Sequence, residues 1–346
     1  MRAPRIALFA AVLVALASLA FALVRLSADP PPTHDMHRHF RVELDVPPVE
    51  AALWFAAHYP KYFTSGEAGL DAWLDGLAPN NRDFVLALGQ TLTWAWVEHE
   101  LAGFESEDPK GLAREATVAI RHETLNQLEL NVAHFPDVAG IEFNAWVGDP
   151  GFAGEVFARL IRGVSNCEGQ NHLVAILLDT ALESKVLGVP GIDALMIGIE
   201  PGHELVRLRG PTLEQAIYVD AWSNLPPFTL DSLASLGDSP PPVVPGVASR
   251  PPFSASIYAE ASETRIEPLS DRHAPTRTVD LEIRAPALDE ASLAKLEDPW
   301  KLYLYARILH VYDDPRAGDL YRMVLARHCE SRRFVCEASR LLLERL

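Results

Sequence analysis

The stretch Gly163-Val-Ser-Asn-Cys167-Glu-Gly-Gln-Asn-His172, with the apolar run Leu173 to Leu187 behind it, is the point from which the rest of the chain is read. A helix over Phe152 to Ile161 leads into it, and Gly163 with two small polar residues interrupts that helix. A second, mostly apolar helix follows with Cys167 at its start, where unpaired backbone N–H groups and the helix dipole favour a thiolate. Downstream, Ala194 to Ile199, Glu204 to Leu208 and Ala216 to Asp220 alternate apolar and polar residues between Pro-Gly turns and read as short antiparallel strands. One helix followed by antiparallel strands is an α+β arrangement.

A thiolate at a helix start needs a base. His203 stands at a Pro-Gly-His turn that opens the second strand, and Asp220 closes the third. Neighbouring antiparallel strands set these two side by side. The carboxylate then fixes the imidazole tautomer and the other ring nitrogen faces the thiol. His172, five residues past Cys167 on the same helix, points elsewhere and is not assigned as the base.

The run from Glu155 to Gly163, then Cys167 and His172 to Leu178, Gly202 to Leu208, and Tyr218-Val-Asp220-Ala-Trp222 resembles the transglutaminase-like superfamily. The resemblance covers about residues 146 to 225 and implies a papain-like core with the Cys-His-Asp triad in this chain order. It implies Cys167 as nucleophile, His203 as general base and then acid, and Asp220 as orienting residue, with the Cys167 backbone N–H in the oxyanion hole. The chain departs from the family pattern at Ser165, where glycine is usual, at Asn171, where a small residue is usual, and at Leu205, where an aromatic is frequent. Trp146 is either a second oxyanion donor through its indole N–H or a core residue. Glu168 and Gln170 either touch substrate or serve as helix-start polar residues.

The activity expected is cysteine-dependent acyl transfer on a peptide or protein amide, as peptidase, amidase or transamidase, through a thioester on Cys167. The alternative is a non-catalytic binding or scaffold protein that keeps the transglutaminase-like fold. No Gly-rich phosphate loop, CxxC or HExxH occurs in the chain, so no cofactor and no metal are expected. Glu98, His99 and Glu100 lack the spacing of a zinc helix and read as a solvated face.

The chain has 346 residues, 49% of them hydrophobic, enough for about two folded units at roughly 150 residues each. Thirty Lys and Arg stand against 47 Asp and Glu, a net charge of −17. With no segregated basic patch, nucleic-acid binding is excluded as a function class. Residues 1–28 hold the charge-free segment Ile6 to Val24 behind Arg2 and Arg5, read as a signal anchor or a signal peptide. Either places the remainder outside the cytoplasm, tethered to the inner membrane in the first case and released in the second.

Residues 29–45 read as a linker that includes His34, His37 and His39, 46–145 as a helical region, and 146–235 as the transglutaminase-like core. Residues 236–285 read as a Pro-rich linker or loop and 286–346 as a C-terminal helical region. Of the three cysteines, Cys329 and Cys336 would stand about 10 Å apart in one continuous helix, too far to bridge. If Glu330 to Arg333 turns between two helices, a disulfide closes there, consistent with export, and Cys167 is left as the free thiol.

Overall fold

The computed structural model describes residues 40–64, 67–127, 130, 156–185, 191–199, 203–223, 226–235, 262–265, 275–279, 282–330 and 333–346. Its helices are α1 (Pro48–His58), α2 (Pro60–Thr64), α3 (Glu67–Asp75), α4 (Pro79–Ala102), α5 (Pro109–Glu123), α6 (Val156–Arg162), α7 (Cys167–Lys185), α8 (Leu230–Ser235), α9 (Glu290–Ala294), α10 (Pro299–Val311), α11 (Ala317–His328) and α12 (Arg333–Leu343). Several have a readable start. Asp108 caps α5, its carboxylate accepting from the N–H groups of Lys110 and Gly111, and Asp298 caps α10 through Trp300 N–H. Both helices carry proline in the first turn, where its missing donor costs nothing.

Strands β4 (Asp193–Ile199), β5 (His203–Arg209), β6 (Ile217–Val219) and β7 (Ser262–Arg265) form one antiparallel sheet in the order β6-β5-β4-β7. In its register Ile199 faces His203 across β4 and β5, and Val206 faces Val219 across β5 and β6. Helix α7 packs on β5 and β4, and α5 packs on α7. Mixed helix and antiparallel strand bears out the α+β class.

Small parallel pairs tie distant segments together. β1 (Arg41–Val42) pairs with β8 (Thr276–Arg277), and β2 (Leu125–Asn126) with β3 (Val164–Ser165). The Val42 N–H donates to Thr91 Oγ1 on α4 at 2.8 Å. Phe40 and Val42 are buried, so residues 29–45 are not wholly linker. The segment 236–285 likewise supplies β7 and β8 rather than serving only as a connection. α5 ends at Glu123, where Thr124 turns extended to enter β2.

The helical regions on either side of the sheet share one core instead of forming separate units. His39 to Leu346 cluster as one compact body. α6 lies inside it, buried along its whole length. Phe63 on α2 packs edge-on against Phe157 at 6.1 Å, the Arg162 Nε–H donates to the Phe63 carbonyl at 2.8 Å, and Tyr303 Oη donates to the Arg162 carbonyl at 2.7 Å.

Arg307 on α10 is fully buried and organises the turn that precedes Cys167. It donates to the carbonyls of Glu123 at 2.6 Å, Leu160 at 2.9 Å and Ile161 at 3.3 Å. Gly163 sits in the left-handed region at φ +71°, and a Cβ there would run into the Arg307 side chain.

The membrane expectation is corrected: no helix among the described residues is long and apolar enough to cross a membrane. The longest, α4, begins with Asn80, Asn81, Arg82 and Asp83, ends with Glu98, His99 and Glu100, and buries Gln90, Thr91 and Thr93. The segment 6–24 itself lies outside the described residues, as do His34, His37, His39 and Trp146.

Candidate active site

Asn166 caps α7. Its Oδ1 accepts from Gly169 N–H at 2.9 Å, and its carbonyl accepts from Gln170 N–H at 3.1 Å. Cys167 is therefore the first helical residue and is half-buried, while its thiol is free of disulfide. β5 lies against the same helix and begins with His203, 2% exposed. Carrying the β5–β6 register one step past Val219 sets Asp220 beside Leu205, on the face that His203 shares. His203 Nε2 and Asp220 Oδ2 meet at 2.8 Å, both side chains almost fully buried. That leaves Nδ1 as the second ring nitrogen, and Cys167 is near enough to act on the charge of the ring.

Burial works against a charged His203. The Asp220 carboxylate outweighs it by charge and hydrogen bond, Cys167 adds a hydrogen bond and charge of the same sign, and the ring is raised to about 10. Burial also opposes a charged Asp220, yet the His203 charge and hydrogen bonds from His203, Ser223 and Asn171 hold it down at about 2. The two shifts describe one buried imidazolium–carboxylate pair.

A cage around the 220–222 turn was not part of the sequence reading. Asn171 Nδ2 donates to Asp220 Oδ1 at 3.0 Å and to the Glu204 carbonyl at 2.7 Å, while its Oδ1 accepts from Ala221 N–H at 2.9 Å. Arg121 Nε donates to the Ala221 carbonyl at 2.9 Å and Asn126 Nδ2 to the Trp222 carbonyl at 2.9 Å. The Trp222 ring lies 5.3 Å from the His203 ring, tilted. Asn171 is thus the residue that grips Asp220. Its position four residues past Cys167 was the one signal for it.

The secondary candidates separate. Glu168 is half-buried in the first turn of α7. Gln170 is 1% exposed, and its amide nitrogen donates to the Thr124 carbonyl and Oγ1. That places it as a tie between α7 and the end of α5, not as a substrate contact. Cys329 and Cys336 form a disulfide between the end of α11 and α12, with Cα atoms 5.2 Å apart.

Away from this centre, His122, Glu123 and His310 bring ligand atoms within 4.8 Å of one another. Glu100 beside them is not simply solvated. Burial, aided by the charges of Glu123 and Asp313, pushes its carboxyl up to about 8. No protein-family model, curated protein or solved structure matches this chain.

Proposed function

We propose that the protein is an exported, cysteine-dependent acyl-transfer enzyme with a transglutaminase-like core, acting on a peptide or protein amide through a thioester on Cys167. The observation that carries this reading is the buried 2.8 Å contact between His203 and Asp220 against the helix that begins with Cys167. Buried ion pairs contribute little net stability. A pair of this kind at a helix-start thiol has a ready use in catalysis.

In the proposed cycle His203 carries a proton on Nδ1 and Cys167 is the thiolate. Sulfur attacks the amide carbonyl carbon, and the oxyanion is held by the Cys167 backbone N–H. The C–N bond then breaks as His203 gives its Nδ1 proton to the departing amine, leaving a thioester. Water or a second amine attacks that thioester, His203 takes the proton back, and the C–S bond breaks to restore Cys167. Asp220 keeps Nε2 as the nitrogen turned away from the chemistry throughout. The Cys329–Cys336 disulfide supports an oxidising compartment.

Alkylation by iodoacetamide at about pH 6, well below the ordinary thiol range, tests the reading. Cys167 is expected to react far faster than a model thiol, and to lose that advantage in His203→Ala. Equal reactivity of Cys167 and the model thiol would leave the fold as a scaffold without turnover.

A further inference from the structure

We propose that His122, Glu123 and His310 bind one divalent transition-metal cation at the end of a cavity bounded by α4 and α5. The site is separate from Cys167 and does not rest on its chemistry. The end of α5 supplies two neighbouring ligands and α10 the third, so no single stretch of sequence carries a motif.

The geometry is close to a coordination shell. Ligand atoms of the three residues lie within 4.8 Å of one another. A tetrahedral shell with bonds of about 2.0–2.1 Å spaces its ligands roughly 3.3 Å apart. Closing that gap brings ligand atoms up to about 1.5 Å nearer one another. Two imidazoles with one carboxylate suit zinc, ferrous iron or cobalt better than calcium or magnesium, which prefer all-oxygen shells.

Two of the candidate ligand atoms make no hydrogen bond, although Arg307 stands 3.7 Å from one of them. Glu123 Oε2 and His310 Nε2 belong to side chains 2% and 0% exposed, and neither atom has a hydrogen bond. Burying such atoms unsatisfied opposes folding, and one cation satisfies both. Tyr321 Oη lies 3.0 Å and Arg307 Nη1 3.2 Å from His310 Nδ1; the guanidinium only donates, so His310 offers Nε2 to the ion when its Nδ1 proton turns to Tyr321. His122 Nδ1 is 3.2 Å from Glu123 Oε1, so its Nε2 is the nitrogen left for the ion.

Charge near the site is mixed. Arg307 is 3.7 Å from Glu123 Oε2 and 3.2 Å from His310 Nδ1, but its guanidinium is also spread over three backbone carbonyls. On the open side the cavity wall carries Glu100, Glu115 and Asp313 besides Glu123, against Arg114. The cavity holds about 570 Å³, and His122, 37% exposed, stands at its wall, so a cation has a way in and an open coordination position.

Cobalt(II) titrated into the purified full chain, followed by its visible d–d absorption, tests the site. One saturable equivalent, displaced by zinc and retained in Cys167→Ser, is the expected result. His122→Ala, at a part-exposed position, should weaken binding by at least about 100-fold while the circular dichroism stays native. Glu123→Gln should do the same if it folds. Binding must persist when His34, His37 and His39 are all replaced by alanine. No saturable absorption in the wild-type chain, unchanged binding in His122→Ala, or loss of binding with the three N-terminal histidines would each overturn the proposal.

Discussion

Asn171 Nδ2 donates to Asp220 Oδ1 at 3.0 Å from a position one helical turn past Cys167. A residue and the fourth after it share a helix face, so α7 offers its thiol and the amide that steadies the carboxylate from one stripe. The same amide reaches the Glu204 carbonyl and accepts from Ala221 N–H, joining β5 to the turn after β6.

Replacing Asn171 should therefore loosen Asp220 without removing any reacting group. Asn171→Ala leaves Asp220 Oδ1, the Glu204 carbonyl and Ala221 N–H short of a partner, at a cost of about 1–3 kcal/mol in stability. Cys167 alkylation should slow about tenfold while Cys167 itself is intact. Asn171→Asp sets a second carboxylate beside Asp220 and should be worse than alanine on both counts. Equal melting temperature and equal alkylation rate in Asn171→Ala would show that the grip is idle.

The pH response follows from the direction of the two shifts. His203 is raised above its ordinary 6.5, so its stabilising pairing is complete below about 6.5 and is lost as pH rises toward 10. Asp220 is depressed, so its contribution is present above its ordinary 3.8 and is lost as pH falls toward 2. Acyl transfer should hold on the basic side well past neutrality. In Asp220→Asn the charge that raises His203 is gone, and the basic limb should move down toward 6.5. A loss of about 10²–10⁴-fold in rate is expected for His203→Ala. A pH–rate profile of wild type and Asp220→Asn decides the matter, and coincident basic limbs would refute the pairing.

Gly163 and Arg307 form a mutually dependent pair. Gly163→Ala meets both a positive φ and the Arg307 side chain, and should lower stability by about 1–3 kcal/mol. Arg307→Met strands the buried carbonyls of Glu123, Leu160 and Ile161 and should cost more, about 3–5 kcal/mol. Urea unfolding measures both, and a double variant less destabilised than the sum of the two single variants would show the coupling directly.

Reduction should open the Cys329–Cys336 bridge and leave the Cys167 thiol as it is. The disulfide joins residues seven apart in sequence, for which the chain-entropy relation gives about 2–3 kcal/mol. Cys329→Ser with Cys336→Ser should lower the melting temperature while leaving Cys167 as reactive as before. Non-reducing peptide mapping that placed Cys167 in a bridge would contradict this arrangement.

What the sequence made legible is what chain order and local periodicity encode. α11 runs from Ala317 to His328, as its apolar spacing indicates, and Cys167, His203 and Asp220 fall at a helix start, a strand start and a strand end. What it concealed depends on pairings across long separations. β2 and β3 are two residues each, too short to leave a period-two pattern. Arg307 reaches Glu123 across 184 positions. His310 and His122 carry no shared spacing, so a three-ligand group was invisible in a chain without a local zinc motif. The Arg41–Val42 strand was hidden among linker-like residues because its hydrogen-bond acceptor, Thr91, lies on another element.

The Arg307 contacts also bear on which pieces of this chain can stand alone. Residues 146–235 hold Cys167, His203 and Asp220, yet the carbonyls that shape the turn before Cys167 are satisfied from α10, and the carbonyls of the 220–222 turn are gripped by Arg121 and Asn126. A fragment cut to those residues would keep every reacting atom and lose the frame that aims them. The helices on both sides are thus part of the frame around Cys167, His203 and Asp220, and an excised core should be neither autonomous in folding nor selective in its thiol chemistry.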